Sequence, residues 1–130
     1  INFLKYSKDI YILGNENKIA QVFDNLIQNA VSFSNDKQII NIRLEKNSES
    51  IIVLVEDNGP GFRDGTLNKV FDRFYTDRPR NEKFGNHSGL GLSISKQIVL
   101  AHGGTIEALN RFNQNNECVG GIVKVSFLKI

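Results

Sequence analysis

Methionine is missing from this 130-residue chain altogether, and cysteine occurs once, at Cys118. A lone cysteine excludes an intramolecular disulfide framework and a cysteine-built metal site, and it fits a reducing compartment. Beginning at Ile1 without any Met, the chain is expected to be a segment of a longer protein. No apolar run approaches the ~20 residues that a bilayer span needs, and no signal-peptide pattern opens the sequence, so a soluble chain is expected. Charge of one sign is scarce too. The 16 Lys and Arg against 14 Asp and Glu leave +2, too little to make nucleic acid or an anionic membrane the main partner. Internal repeats are lacking, and the only loop-prone biased stretch runs from Asn110 to Asn116. Neither a G-x-x-x-x-G-K-S/T loop nor a G-x-G-x-x-G turn after a strand occurs, which removes the P-loop and the dinucleotide fingerprint. His87 and His102 have no ligand partner at metal spacing, and no Ser/His/Asp or Cys/His arrangement stands out.

What is present suits one globular domain, with 40% hydrophobic and 23% charged residues. Ile10 to Leu13 reads as a short edge strand, and Gly14-Asn15-Glu16-Asn17 as a turn and helix entry. A first helix runs to about Phe33, with Ile19, Val22, Phe23, Leu26, Ile27 and Ala30 on one apolar face. Residues 39–45 and 50–56 read as an antiparallel hairpin. A polar stretch from Asn58 to about Ser88 is longer than ordinary connections, a length that marks a lid or disorder. A second helix is expected from Gly89 to Ala101, lined by Leu90, Ile94, Ile98 and Ala101 and closed by His102-Gly103-Gly104. Strands at 105–109 and 119–128 follow. The sum is an α+β two-layer sandwich, its helices on one face of a mixed, mostly antiparallel sheet.

Three blocks carry chemistry. Gln21, Asn25 and Asn29 fall at i, i+4 and i+8 on the first helix. Such a stripe is also the pattern of a solvent face, but Asn has no helix-propensity reason to recur mid-helix. Its amide oxygen is a ligand Mg²⁺ accepts while taking other oxygens from phosphates. Glu56-Asp57-Asn58-Gly59-Pro60-Gly61-Phe62 follows a buried strand. It reads either as a surface turn or as a carboxylate for the exocyclic amine of adenine, with glycines that let the base lie against the backbone. Ser88-Gly89-Leu90-Gly91-Leu92-Ser93 opens the second helix, where free N–H groups favour a polyphosphate, although a lone G-x-G is weak evidence. Between them Arg63, Lys69, Arg73, Arg78, Arg80 and Lys83 alternate with acids. Phe71, Phe74 and Tyr75 are apolar anchors that a purely solvated loop would not need.

In order and spacing these blocks resemble the catalytic ATP-binding domain of sensor histidine kinases, within the GHKL (Bergerat-fold) superfamily shared with gyrase, Hsp90 and MutL. Residues 21–30 are similar to its N box and residues 57–62 to its G1 box. Residues 70–75 are similar to its F box, and residues 88–94 to its G2 box. Phe74 to Pro79, with Asn29 to Phe33, further resembles ChvG/ExoS-type sensor kinases. The resemblance implies ATP and Mg²⁺ as cofactors. Asn29 would coordinate the metal, supported by Asn25, with lid cations Arg73 and Arg78 completing the catalytic set. Asp57, Gly59, Gly61 and Phe33 would form the base pocket, and Ser88, Gly89, Leu90, Gly91 and Leu92 would face the phosphates. Phe71 and Phe74 would anchor a lid spanning about 62–88 and meet the neighbouring domain. Ser32, Thr76 and Gly120-Gly121 depart from the family pattern, which bears on the lid's phosphate contacts more than on the fold.

Hydrolases of the superfamily carry a Glu four residues before the metal-binding Asn, where this chain has Asn25. An amide has no basic lone pair at neutral pH, so transfer is favoured over hydrolysis. The implied acceptor is a histidine on an upstream dimerisation domain that this chain does not contain, with a response regulator receiving the group afterwards. The resemblance also implies a cytoplasmic domain of a parent kinase at the inner membrane, without nucleic acid or direct membrane contact. A serine kinase or ATPase of the superfamily and a nucleotide-sensing pseudoenzyme are the alternatives.

Overall fold

The computed structural model describes residues 2–4, 11–34, 39–63, 65–73 and 91–129. In chain order these form β1 (Asn2–Leu4), α1 (Glu16–Phe33), β2 (Asn41–Lys46), β3 (Ser50–Glu56), α2 (Gly91–Ala101), β4 (Thr105–Phe112) and β5 (Cys118–Leu128). The strands lie side by side as β1-β2-β3-β5-β4, with β1 parallel to β2 and the other pairs antiparallel. This is the mixed, mostly antiparallel sheet of the expected α+β sandwich.

Register decides which face of the sheet carries the core. Ile42 pairs with Val55, Val55 with Val123 and Val123 with Ala108. One step along, Val53 pairs with Val125 and Val125 with Ile106. Directly opposed residues share a face, so one apolar layer crosses four strands. Val22, Leu26 and Ala30 of α1 and Val99 of α2 join the same buried cluster. The opposite face carries Arg43, Glu107, Lys124 and Ser126. There Leu54 is buried although its paired neighbours are Arg43 and Lys124.

Helix α1 begins where the sequence signals it. The Asn15 side chain caps it by accepting from the Lys18 N–H at 3.0 Å. At the other end the Ser34 hydroxyl donates to the Ala30 carbonyl at 2.8 Å. The two helices are joined by His102. Its Nδ1 bonds the Ile98 carbonyl at 2.7 Å, and its Nε2 accepts from the Asn15 N–H at 3.1 Å. The expected helix-closing role of His102 therefore extends to the start of α1.

Three expectations need correction. Tyr11–Leu13 is not a strand; the edge beside β2 is taken by β1, and Tyr11 and Leu13 are exposed. The expected apolar line on α2 holds only in part, because Ile98 packs on the core but Ala101 is exposed. Ser95 and Val99 are fully buried instead, with Leu92 and Ile98 packed on the core. Small Ser95 sits where α2 approaches α1, which outweighs its polarity. The loop expected from Asn110 shrinks to a turn between β4 and β5. There Asn113 Oδ1 accepts from the Asn115 and Glu117 N–H groups at 2.9 and 3.0 Å.

Candidate functional site

At the end of β3 two acidic residues are buried side by side, Glu56 and Asp57. Glu56 is held by Arg43, whose Nη2 and Nε lie 2.7 and 2.9 Å from Oε2. Asp57 continues the β3–β5 ladder, its N–H donating to the Gly121 carbonyl at 2.9 Å. Its Oδ1 accepts from the Gly121 N–H at 2.9 Å and from the Gly59 N–H at 3.0 Å. Two backbone donors on one oxygen fix the carboxylate plane, and bonds to an ionised acceptor are the stronger kind. The second oxygen then has a defined direction.

The loop after Asp57 is pressed between three elements, which is why it carries glycines. A Cβ at Gly59 would collide with the Phe33 carbonyl oxygen at the end of α1. Gly61 has φ +79°, a backbone region costly for other residues, and a Cβ there would stand 2.8 Å from Asn110 Oδ1 and against Cys118 Sγ. The loop is thus wedged against α1, β4 and β5 at once.

Asn25, Asn29 and Phe33 recur every four residues, one stripe about 12 Å long at the rise of an α-helix. At its upper end Asn25 Nδ2 donates to the Gly91 carbonyl and to Ser95 Oγ, each at 3.4 Å. At its lower end buried Phe33 meets Gly59. Half-buried Asn29 lies between, and its carbonyl accepts from the Ser32 hydroxyl at 3.3 Å. The stripe therefore runs from the start of α2 to the Asp57 loop, bringing Asn25, Asn29, Phe33, Asp57, Gly59, Gly61 and Gly91 into one region. Leu92, next to Gly91, is half-buried and packs against the core.

Beyond Phe62 the chain makes successive turns. The Thr66, Lys69 and Asp72 N–H groups donate to the Arg63, Thr66 and Lys69 carbonyls. Val70 and Phe71 are buried in the core, and Lys96 Nζ of α2 stands 5.9 Å from the Phe71 ring centroid. Phe71, at 8% exposure, therefore anchors this segment to the core. Arg73 is exposed. Arg78, Phe74, Thr76, Ser88, Gly89 and Leu90 lie outside the described residues.

Sequence reasoning missed the β4 and β5 side of the region. Asn110 bonds the Phe62 backbone, and Arg111 Nη2 donates to the Asp57 carbonyl at 3.2 Å. A Cβ at Gly120 would strike that same Asp57 carbonyl. The pair Gly120-Gly121 held the available signal, since glycine inside a strand often marks close backbone approach.

The donor set suits a magnesium nucleotide. Among the described residues no group of three or more His, Cys, Asp and Glu side chains could hold a metal ion. A single amide oxygen with ligand phosphates is the kind of site Mg²⁺ accepts.

A family model described as "Histidine kinase-, DNA gyrase B-, and HSP90-like ATPase" matches residues 14–128, and the chain belongs to that family. Among relatives it is 51% identical over 98 residues to the sensor protein ChvG of Agrobacterium fabrum, covering 75% of this chain and 16% of that protein. It is 40% identical over 104 residues to the sensor histidine kinase WalK of Bacillus subtilis, covering 78% of this chain and 17% of that protein. The chain thus spans about a sixth of the length of these curated relatives. Among solved structures, the catalytic domain of histidine kinase ThkA superposes with a TM-score of 0.78 at 29% identity, covering 98% of this chain and 76% of that one. The mycobacterial sensor histidine kinase MprB gives 0.77 at 25% identity, covering 91% of this chain and 74% of that one. No helix among the described residues is long and apolar enough to cross a membrane.

Proposed function

We propose that this domain binds Mg-ATP and donates the γ-phosphoryl group to a histidine on a separate, upstream dimerisation domain, as part of a two-component sensor kinase. The observation that carries this reading is the Asp57 carboxylate, fixed by the Gly59 and Gly121 N–H groups beside the stripe of Asn25, Asn29 and Phe33. Asp57 accepts the exocyclic amine of adenine, while Gly59 and Gly61 let the loop press on α1, β4 and β5 so that the carboxylate is held in place, and Phe33 backs the base. Asn29 offers its amide oxygen to the metal. Bound Mg²⁺ supplies charge neutralisation on the phosphates. Asn25 holds the start of α2 through the Gly91 carbonyl, so the first N–H groups of that helix face the phosphate end. Arg73 and Arg78 supply lid cations that offset charge developing in transfer.

With an amide at residue 25 and no carboxylate there, water lacks a general base, and an external nucleophile takes the phosphoryl group. The domain alone binds ATP without phosphorylating itself, and the parent kinase passes the group to a response regulator. In this reading it works in the cytoplasm, its parent held at the inner membrane. The test joins the domain to its native upstream residues and supplies γ-labelled ATP and Mg²⁺, with Asn29→Ala as control. Acid-labile, base-stable label on the protein, absent from the control, is the expected result. Free phosphate alone, or no transfer, would move the assignment to an ATPase or a silent nucleotide sensor.

A further inference from the structure

We infer that Asn110, with Arg111 beside it, is the positioning residue that sets the Asp57–Phe62 loop against the sheet and so fixes where the nucleotide base sits. The inference rests on the nucleotide reading above. Asn110 pairs within the β4–β5 ladder with Gly121, while its side chain reaches a residue 48 positions earlier. Its Oδ1 accepts from the Phe62 N–H at 2.7 Å, and its Nδ2 donates to the Phe62 carbonyl at 2.8 Å. One carboxamide thus exchanges both hydrogen bonds with a single residue, as a paired strand would, at a point where the loop has left the sheet. Gly61 makes room for it, because a Cβ there would stand 2.8 Å from Asn110 Oδ1.

Arg111 holds the other end of the loop, its Nη2 donating to the Asp57 and Val119 carbonyls at 3.2 Å each. Asn110 and Arg111 pair in regular register with Gly121 and Gly120, and the β4–β5 register shifts only beyond them, between Arg111 and Phe112. The loop that presents Asp57 is therefore held at both ends by adjacent residues of β4.

Only an amide can do both halves of the Asn110 pairing. Asp has nearly the same shape but would set an acceptor against the Phe62 carbonyl, whereas Ser offers one group in place of two. The test uses the 130-residue chain and Asn110→Asp, comparing amide exchange at Phe62 with that at Val125 and measuring Kd for ATP and ADP. Exchange at Phe62 should quicken about tenfold while Val125 is unchanged. Both Kd values should rise by one common factor, also about tenfold, because the loss is at the base end. Unchanged Phe62 exchange, unchanged affinities, or Val125 quickening as much as Phe62 would overturn the inference. Should the Asp variant fail to fold, Asn110→Ser is judged by the same three outcomes. If the unchanged chain binds neither nucleotide, the nucleotide reading itself falls. Binding that Asn110→Asp leaves intact overturns the clamp alone.

Discussion

The two segments that follow β3 are built on opposite plans. Besides the local bond from the Gly59 N–H to the Asp57 carboxylate, residues 57–62 are tied to groups far along the chain, at Asn110, Arg111 and Gly121. Among the described residues beyond Phe62, Thr66, Lys69 and Asp72 bond from one turn to the next, and Val70 and Phe71 are buried in the core. A loop bonded to the sheet has its geometry set before any ligand arrives, which cuts the ordering cost of binding. A segment tied by apolar anchors can re-pack without breaking the sheet. In the function proposed above, the first plan suits recognition of a base and the second a cover over the phosphates.

Substitutions that strike one plan and spare the other sharpen this contrast. Phe71→Ala removes the main anchor of the second segment and should cost about 3–5 kcal/mol in denaturant unfolding, the usual range for a buried Phe. If the plans are separable, ATP selectivity at the base end survives in the fraction that stays folded. Gly59→Ala strikes the first segment, because the new Cβ meets the Phe33 carbonyl. It should cost about 2–3 kcal/mol by the same measurement and, unlike Phe71→Ala, should lower nucleotide affinity. Wild-type affinity in Gly59→Ala would show that the loop need not press on α1. The smallest effect is expected of Lys96→Gln. Losing an exposed cation over the Phe71 ring should cost about 0.5 kcal/mol, read as a small shift in the unfolding midpoint.

Much of the fold was legible because strong periodicity specifies strands and helices when they bury one face. The apolar face of α1 and the β2–β3 hairpin were both read from spacing. Legibility failed where neighbours outvote local pattern. Of the line through Ile94, Ile98 and Ala101 expected on the buried side of α2, Ile98 packs on the core but Ala101 is exposed, and the fully buried residues are Val99 and small Ser95, which bonds Asn25 of α1. At the site, Asn25, Asn29, Asp57, Gly59 and Gly61 were named from sequence, since each sits in a local motif with its own chemical signature, whereas Phe33 came only from the family resemblance. Asn110 and Arg111 were not, because their partners are 48 and 54 residues away and an Asn at the edge of a polar stretch looks like a turn. Gly120-Gly121 was noticed only as a departure from a family pattern. In the structure the first admits the Asp57 carbonyl and the second donates to its carboxylate.

The central claim is that Asp57, held by its backbone donors, reads the amine of adenine. Titration of the chain with ATP and with inosine triphosphate, which carries a carbonyl where adenine has its amine, tests this most directly, with Asp57→Ala alongside. A hydrogen bond to a charged group contributes about 1.5–3 kcal/mol, so ATP should bind roughly ten- to a hundredfold tighter than the inosine nucleotide. That preference should vanish in Asp57→Ala. Equal affinity of the unchanged chain for the two nucleotides, or a preference that survives loss of the carboxylate, would contradict the account.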